Sequence, residues 1–142
     1  MPTRHAQATW EGDLATGKGQ VKTESGALNN PYSFRTRFEN TPGTNPEELI
    51  GAAHSGCFSM ALSAMLAGGG HKPTRVTTIA DVTLEKVGDG FKITKILLTC
   101  EAIVPGIDEK TFQETAAKAK VGCPISQALA ATPIELKATL VK

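Results

Sequence analysis

The chain has 142 residues, 15 basic and 14 acidic side chains, a net charge of +1, and a composition 40% apolar and 20% charged. That length predicts a single domain over residues 1–142, with a core large enough to need neither metal nor disulfides. The near-even charge balance excludes the concentrated basic face of a nucleic-acid binder, and the polar start MPTRHAQATW excludes a secretory leader, so a soluble cytoplasmic protein is expected. Three cysteines are an odd number and make no disulfide framework; in a reducing compartment any disulfide among them would be transient and functional.

In chain order, HAQATW and GQVKTESG flank the turn-rich EGDLATGK and predict a hairpin. In YSFRTRF, Tyr32, Phe34, Thr36 and Phe38 alternate with Ser33, Arg35 and Arg37, which predicts a strand with guanidinium groups opposite an aromatic face. Asn45 is the expected N-cap of a helix running from about Pro46 to Ala67, with proline in its first turn, Glu47 and Glu48 beside it, and Gly68-Gly69-Gly70 at its end. From Leu49 to Gly70 no Asp, Glu, Lys or Arg occurs. The stretch is long enough for a membrane span, but its small residues and His54 favour a core helix, apolar nearly all round and buried nearly all round.

RVTTIADVTLEKV and FKITKILLTCEAIV flank GDG, a second hairpin in which Ile96, Leu98, Cys100, Ala102 and Val104 share a face. This assigns Cys100 to packing. Asp108 is the expected cap of a helix from Glu109 to Val121, ended by Gly122, with a short helix from Pro124 to Ala131 behind it. The closing PIELKATLV alternates as a strand with Ile134, Leu136, Ala138 and Leu140 inward. Strands and helices are segregated, which reads as α+β.

Two thiols remain to be explained. Cys57 lies in AAHSGCFSMALSAML, where a thiolate is disfavoured because burial in apolar surroundings raises a thiol's pKa. A nucleophilic Cys57 therefore needs a cation from elsewhere in the chain. Cys123, in VGCPIS, falls where a helix starts, and free backbone N–H groups there favour a thiolate. Three chemistries suit these residues. One is a thiol peroxidase, in which a cysteine is oxidised to sulfenic acid and a second thiol condenses with it. Another is a cysteine hydrolase with His54 and Cys57 one turn apart as base and nucleophile. The third is a metal site, for which the spacing is poor since neither C-x-x-C nor H-x-x-x-H occurs. A non-enzymatic binder of small hydrophobic ligands, with Cys57 as packing only, is a further alternative. Neither a dinucleotide fingerprint nor a P-loop is present, and no cofactor is expected.

The segments TWEGDL, GKG, TESG, FRTRFE, GTNPEELIGAAHSGCFSMALS, ITKI, VPGI and KAKVGCPIS resemble the osmotically inducible protein C and organic hydroperoxide resistance family of thiol peroxidases. The resemblance covers nearly the whole chain. NPEELIGAAHSGCF with a distant GCPIS is its most specific part, and the extended N-terminus and TRFE segment resemble the osmotically inducible branch. The resemblance implies an OsmC-like α+β fold, with antiparallel sheets around a long buried helix and an intertwined homodimer. It implies a two-cysteine peroxidase that reduces organic hydroperoxides, and hydrogen peroxide more weakly, and is itself reduced by small or lipoyl-linked dithiols.

Residue by residue, the resemblance makes Cys57 the peroxidatic cysteine and Cys123 the resolving one, joined in a Cys57–Cys123 disulfide, with Arg37 and Glu47 as the other site residues. Arg35, Glu48 and Cys100 have no counterpart role. In this reading the apolar helix offers a dry pocket for the alkyl group, and Arg37 supplies the missing cation, oriented by paired hydrogen bonds to Glu47. One difficulty is geometric. Ten residues of helix put Glu47 and Cys57 roughly 15 Å apart along the axis and roughly 80° apart in facing. A homodimer with composite sites is therefore expected, with Glu47 of one copy serving Cys57 of the other across Gly51, Ala52, Ser55 and Gly56.

Overall fold

The first hairpin forms as its turn residues demand, with β1 (Ala6–Glu11) antiparallel to β2 (Lys18–Thr23), and β3 (Asn29–Tyr32) pairs with the other edge of β2. Gly19 is required there: a Cβ would fall 2.5 Å from the Tyr32 ring and 2.6 Å from the Trp10 ring. Its absence lets the two aromatics tilt together over the strand, with centroids 5.4 Å apart. The computed structural model describes residues 1–142. Its contacts divide the chain into two compact units, Met1–Leu49 and Ile50–Lys142.

The first unit corrects the reading of FRTRF. The segment is not a strand but a short helix, α1 (Phe34–Phe38). Ser33 is its N-cap: Thr36 N donates to Ser33 Oγ at 3.3 Å, and Ser33 N donates to Thr36 Oγ1 at 2.9 Å. This reciprocal capping box satisfies two helix-end donors at once and prevails over the two-residue alternation of the aromatics. Helical spacing separates the two arginines. Arg35 meets Glu39 at 3.3 Å on the exposed surface, while Arg37 turns to Glu47. Asn45 anchors the next helix as expected, accepting from Glu48 N at 2.8 Å, and its amide donates to Thr36 O at 3.1 Å. The cap of one helix thereby holds the end of the other.

The long helix α2 spans Pro46–Gly68. It stops where Gly70 adopts φ +89°, and His71 N donates to Leu66 O at 2.8 Å, the glycine-ended closure that satisfies the last free carbonyls. Beyond its first turn it belongs to the second unit. Beyond that turn its buried positions are Gly51, His54, Phe58, Leu62 and Leu66, a single stripe at helical spacing. The expectation of burial nearly all round is not met within one chain. Ala52, Ala53, Gly56, Met60, Ala64 and Ala67 are exposed, Met60 to 76%.

The second unit is built on β4 (Arg75–Val87), β5 (Gly90–Ile103) and β6 (Ile134–Leu140). β4 and β5 are antiparallel around a tight turn in which Gly88 takes φ +62°. The β5 face is as predicted: Ile96, Leu98, Cys100 and Ala102 are fully buried and Val104 nearly so. The expectation of purely antiparallel sheets needs correction, because β6 runs parallel to β5. The cause is the crossover between them, α3 (Glu109–Gly122) followed by α4 (Pro124–Ala128), which returns the chain to the end of the sheet where β5 began. Asp108 caps α3 by accepting from Thr111 N at 3.0 Å. α4 is shorter than predicted, ending at the Leu129 cap. Phe58, Leu62, Leu66 and Phe112 are essentially fully buried, and each such side chain contributes roughly 1.5–3 kcal/mol of transfer free energy.

Candidate active site

In the second unit α2 and the α3–α4 junction bring two thiols together. Cys123 closes α3, its N–H donating to Ala119 O, and opens α4 as the N-cap, its sulfur accepting from Ser126 N at 3.3 Å. The predicted placement at a helix start is therefore correct, and Cys123 is also fully buried. Its thiol is a near neighbour of the Cys57 thiol. Cys57 is half-buried on α2. Burial pushes its pKa up, the hydrogen bond from Ile125 N–H pulls it down, and the neighbouring Cys123 adds a further upward push. Of these influences only the Ile125 N–H favours the charged form, and burial, the largest of them, opposes it.

In the first unit Arg37 and Glu47 form a bidentate pair. Arg37 Nη2 donates to Glu47 Oε1 at 2.9 Å, and Nε donates to both carboxylate oxygens at 3.2 Å. Glu47 is only 9% exposed, and the Arg37 guanidinium also lies 5.2 Å from the centre of the Phe38 ring. The paired geometry fixes the plane of the guanidinium. Trp10, Leu14, Tyr32, Phe34 and Phe38 line an open cavity of about 410 Å³ against which this arginine lies. Of the four predicted site residues, the structure thus joins Cys57 with Cys123 and Arg37 with Glu47. The neighbours Arg35 and Glu48 are exposed.

His54 is fully buried, and its Nε2 is 2.7 Å from Ser126 Oγ. Burial lowers its pKa, which keeps the ring neutral at pH 7. Its Nε2 thus pairs with a serine on α4, whereas a hydrolase dyad on H-x-x-C would pair it with Cys57. Sequence reasoning overlooked Ser126, although its place three residues after the N-cap Cys123 was a usable signal. Cys100 is packed inside the sheet opposite Thr78, and burial raises its pKa.

Residues 38–138 match the OsmC-like protein family. The sequence is 61% identical to peroxiredoxin OsmC of Escherichia coli over 129 residues, 90% of each chain. It is 34% identical over 87 residues, 61% of this chain and 59% of the other, to the organic hydroperoxide resistance protein of Xanthomonas axonopodis pv. citri. Among solved structures, an organic hydroperoxide resistance protein from Elizabethkingia anophelis aligns with a TM-score of 0.71 and 28% identity, covering 100% of this chain and 97% of that one. The OsmC-like protein of Mycoplasma pneumoniae, at 14% identity, aligns with a TM-score of 0.77 over 99% of both chains and shares the fold.

Proposed function

Because this chain belongs to the OsmC-like protein family, and its relatives are a peroxiredoxin and an organic hydroperoxide resistance protein, we propose that it reduces organic hydroperoxides with a pair of thiols, and hydrogen peroxide more weakly. The observation that carries this reading is the placement of the fully buried Cys123 beside the half-buried Cys57. The Cys57 thiolate attacks the outer peroxide oxygen. The O–O bond breaks, the alcohol leaves, and Cys57 becomes a sulfenic acid. Cys123, already adjacent, displaces the hydroxyl as water and forms the Cys57–Cys123 disulfide. An external dithiol, small or lipoyl-linked, then restores both thiols. The reaction takes place in the cytoplasm.

Arg37 supplies the cation that Cys57 lacks, and Glu47 holds the guanidinium in the orientation required. The pair stabilises first the thiolate and then the departing alkoxide. It comes from a second copy of the chain. Two features support this reading: the ten-residue helical separation of Glu47 from Cys57, and the uncovered apolar face of α2 at Ala52, Gly56 and Met60. A face of small residues permits close helix packing, and burying it in a homodimer removes an otherwise costly exposed surface.

Turnover with cumene hydroperoxide and dihydrolipoamide, set beside turnover with hydrogen peroxide and hydrolysis of an activated ester, tests the proposal. The reading requires preference for the organic peroxide and no ester turnover. Ester hydrolysis without peroxide reduction would establish a hydrolase, and inertness towards both would overturn the peroxidase reading in favour of a binder.

A further inference from the structure

Two buried side chains beside the thiols have no part in the mechanism above. Ser126 is 3% exposed and His54 fully buried. Cys123 Sγ–H donates to Ser126 Oγ at 3.1 Å, and Ser126 Oγ is 2.7 Å from His54 Nε2. The result is a continuous line from the second thiol through a hydroxyl to an imidazole. His54 Nδ1 is buried and has no hydrogen-bond partner. In the neutral tautomer that carries its proton on Nδ1, Nε2 is free to accept one from Ser126 Oγ.

Resting on the assignment of Cys123 as the resolving thiol, we propose that Ser126 and His54 form a relay that takes the Cys123 proton as this thiol attacks the Cys57 sulfenic acid. The Cys123 S–H proton passes to Ser126 Oγ while the Ser126 hydroxyl proton passes to His54 Nε2. The freed sulfur electron pair forms the S–S bond to Cys57, the S–O bond breaks, and the oxygen leaves as hydroxide. The proton held by His54 balances that hydroxide, so one water is released overall and no external oxidant is consumed. After the transfer, Ser126 donates to the sulfur through its hydroxyl as well as through its N–H, the latter at 3.3 Å in the present structure. The reason for a relay is burial. Cys123 has no exposed surface, so bulk water cannot collect its proton, and a thiolate formed beside an imidazolium adds no net charge to the interior. Ser126 is then a catalytic residue of the resolving step, and His54 acts through it.

The test separates the two phases of a single turnover. Wild type, Ser126→Ala, Ser126→Thr and His54→Gln are mixed with one equivalent of cumene hydroperoxide, quenched at intervals with dimedone and an alkylating reagent, and weighed by intact mass spectrometry. The relay predicts that conversion of sulfenic acid to disulfide slows about a hundredfold in Ser126→Ala, the scale of a lost general base, with dimedone adduct accumulating. Ser126→Thr, which restores the hydroxyl, recovers most of the rate, whereas His54→Gln, without a basic nitrogen, resembles Ser126→Ala. Disulfide formation at the wild-type rate in Ser126→Ala overturns the relay, as does equal slowing in Ser126→Thr, since packing alone would then explain the loss. If the His54 variant does not fold, the serine pair decides the question by itself. A wild-type protein that forms no Cys57–Cys123 disulfide fails differently: it overturns the peroxidase reading and the relay with it.

Discussion

The central thiol faces two opposing requirements. In the proposed mechanism Cys57 needs an apolar setting to admit an organic peroxide, and the same burial holds its proton on. With Arg37 removed, the cation proposed to offset this is lost, so Arg37→Ala raises the midpoint of the alkylation rate against pH and slows peroxide consumption. An unchanged midpoint removes Arg37 from the mechanism. The proposed mechanism also gives the three cysteines different roles. Cys57→Ser abolishes peroxide reduction, and Cys123→Ser keeps the first oxidation but accumulates sulfenic and over-oxidised forms. Cys100→Ser stays active and loses only stability, by about 1–3 kcal/mol for a hydroxyl placed in the sheet core.

Burial of these groups also shapes the pH dependence of stability. The His54 pKa is lowered on folding, so below about pH 6.5 the unfolded chain takes up a proton that the folded chain refuses. Stability falls as pH drops through that value, by at most about 1.4 kcal/mol per pH unit for one group. Cys100 and Cys57 act on the other side. Their pKa values are raised in the fold, so above about pH 8.5 the unfolded chain releases protons that the folded chain retains, and stability falls again. Asp13 and Asp108, held low by hydrogen bonds from Thr16 and Thr111, enter only at more acid pH. Urea midpoints at about pH 5.5, 7.5 and 9.5 should peak at the middle value, with the acid limb flattened in His54→Gln.

At the scale of elements, α2 presents the clearest unresolved surface. Its buried stripe fixes it to the second unit, while Gly56, on the opposite side, has nothing within 4 Å of where a Cβ would stand. Glycine inside a helix costs about 1 kcal/mol relative to alanine. Its presence on an open face fits close approach by another helix. Gly56→Leu is therefore sterically harmless to one chain, and it should keep the far-UV spectrum while yielding monomers with little activity in sedimentation and turnover assays. An active dimer carrying leucine there would place the interface elsewhere.

The same scale shows what the sequence made legible. Both hairpins, the Asn45 and Asp108 caps and the inward face of β5 followed from turn residues and alternation, because local chemistry decides them. FRTRF did not, because five residues are too few to separate helical from strand periodicity. The decisive contacts came from Thr36, which bonds Ser33 and donates to Thr44 O at 2.8 Å. The parallel pairing of β6 depends on the path of a crossover, which no pattern within β6 records. The site was half legible. The resemblance pointed to Cys57, Cys123, Arg37 and Glu47, and the structure pairs them in twos. Ser126 was legible only through its spacing from the N-cap Cys123, and its bond to His54, 72 positions away, was not.

At the scale of the whole molecule, the proposed site residues are divided along the chain. The Arg37–Glu47 pair belongs to residues 1–49 and the thiol pair to residues 50–142. If each site is completed by a second copy, inactive chains complement one another. Cys57→Ser and Glu47→Ala chains, denatured and refolded together, should give heterodimers with roughly half the activity of a wild-type dimer, since one of two symmetric sites regains both parts. A purified heterodimer that stays inactive while wild type refolds normally would confine the site to one chain.

The central claim is that Cys57 and Cys123 are the redox pair, and the most direct measurement of it is a disulfide map. The reduced protein is treated with one equivalent of cumene hydroperoxide, its remaining thiols are alkylated, and its peptides are weighed. The account predicts that two of the three cysteines escape alkylation, that the Cys57 and Cys123 peptides are joined within one chain, and that Cys100 is alkylated. Full alkylation of all three after peroxide treatment, or a disulfide that includes Cys100, would contradict it.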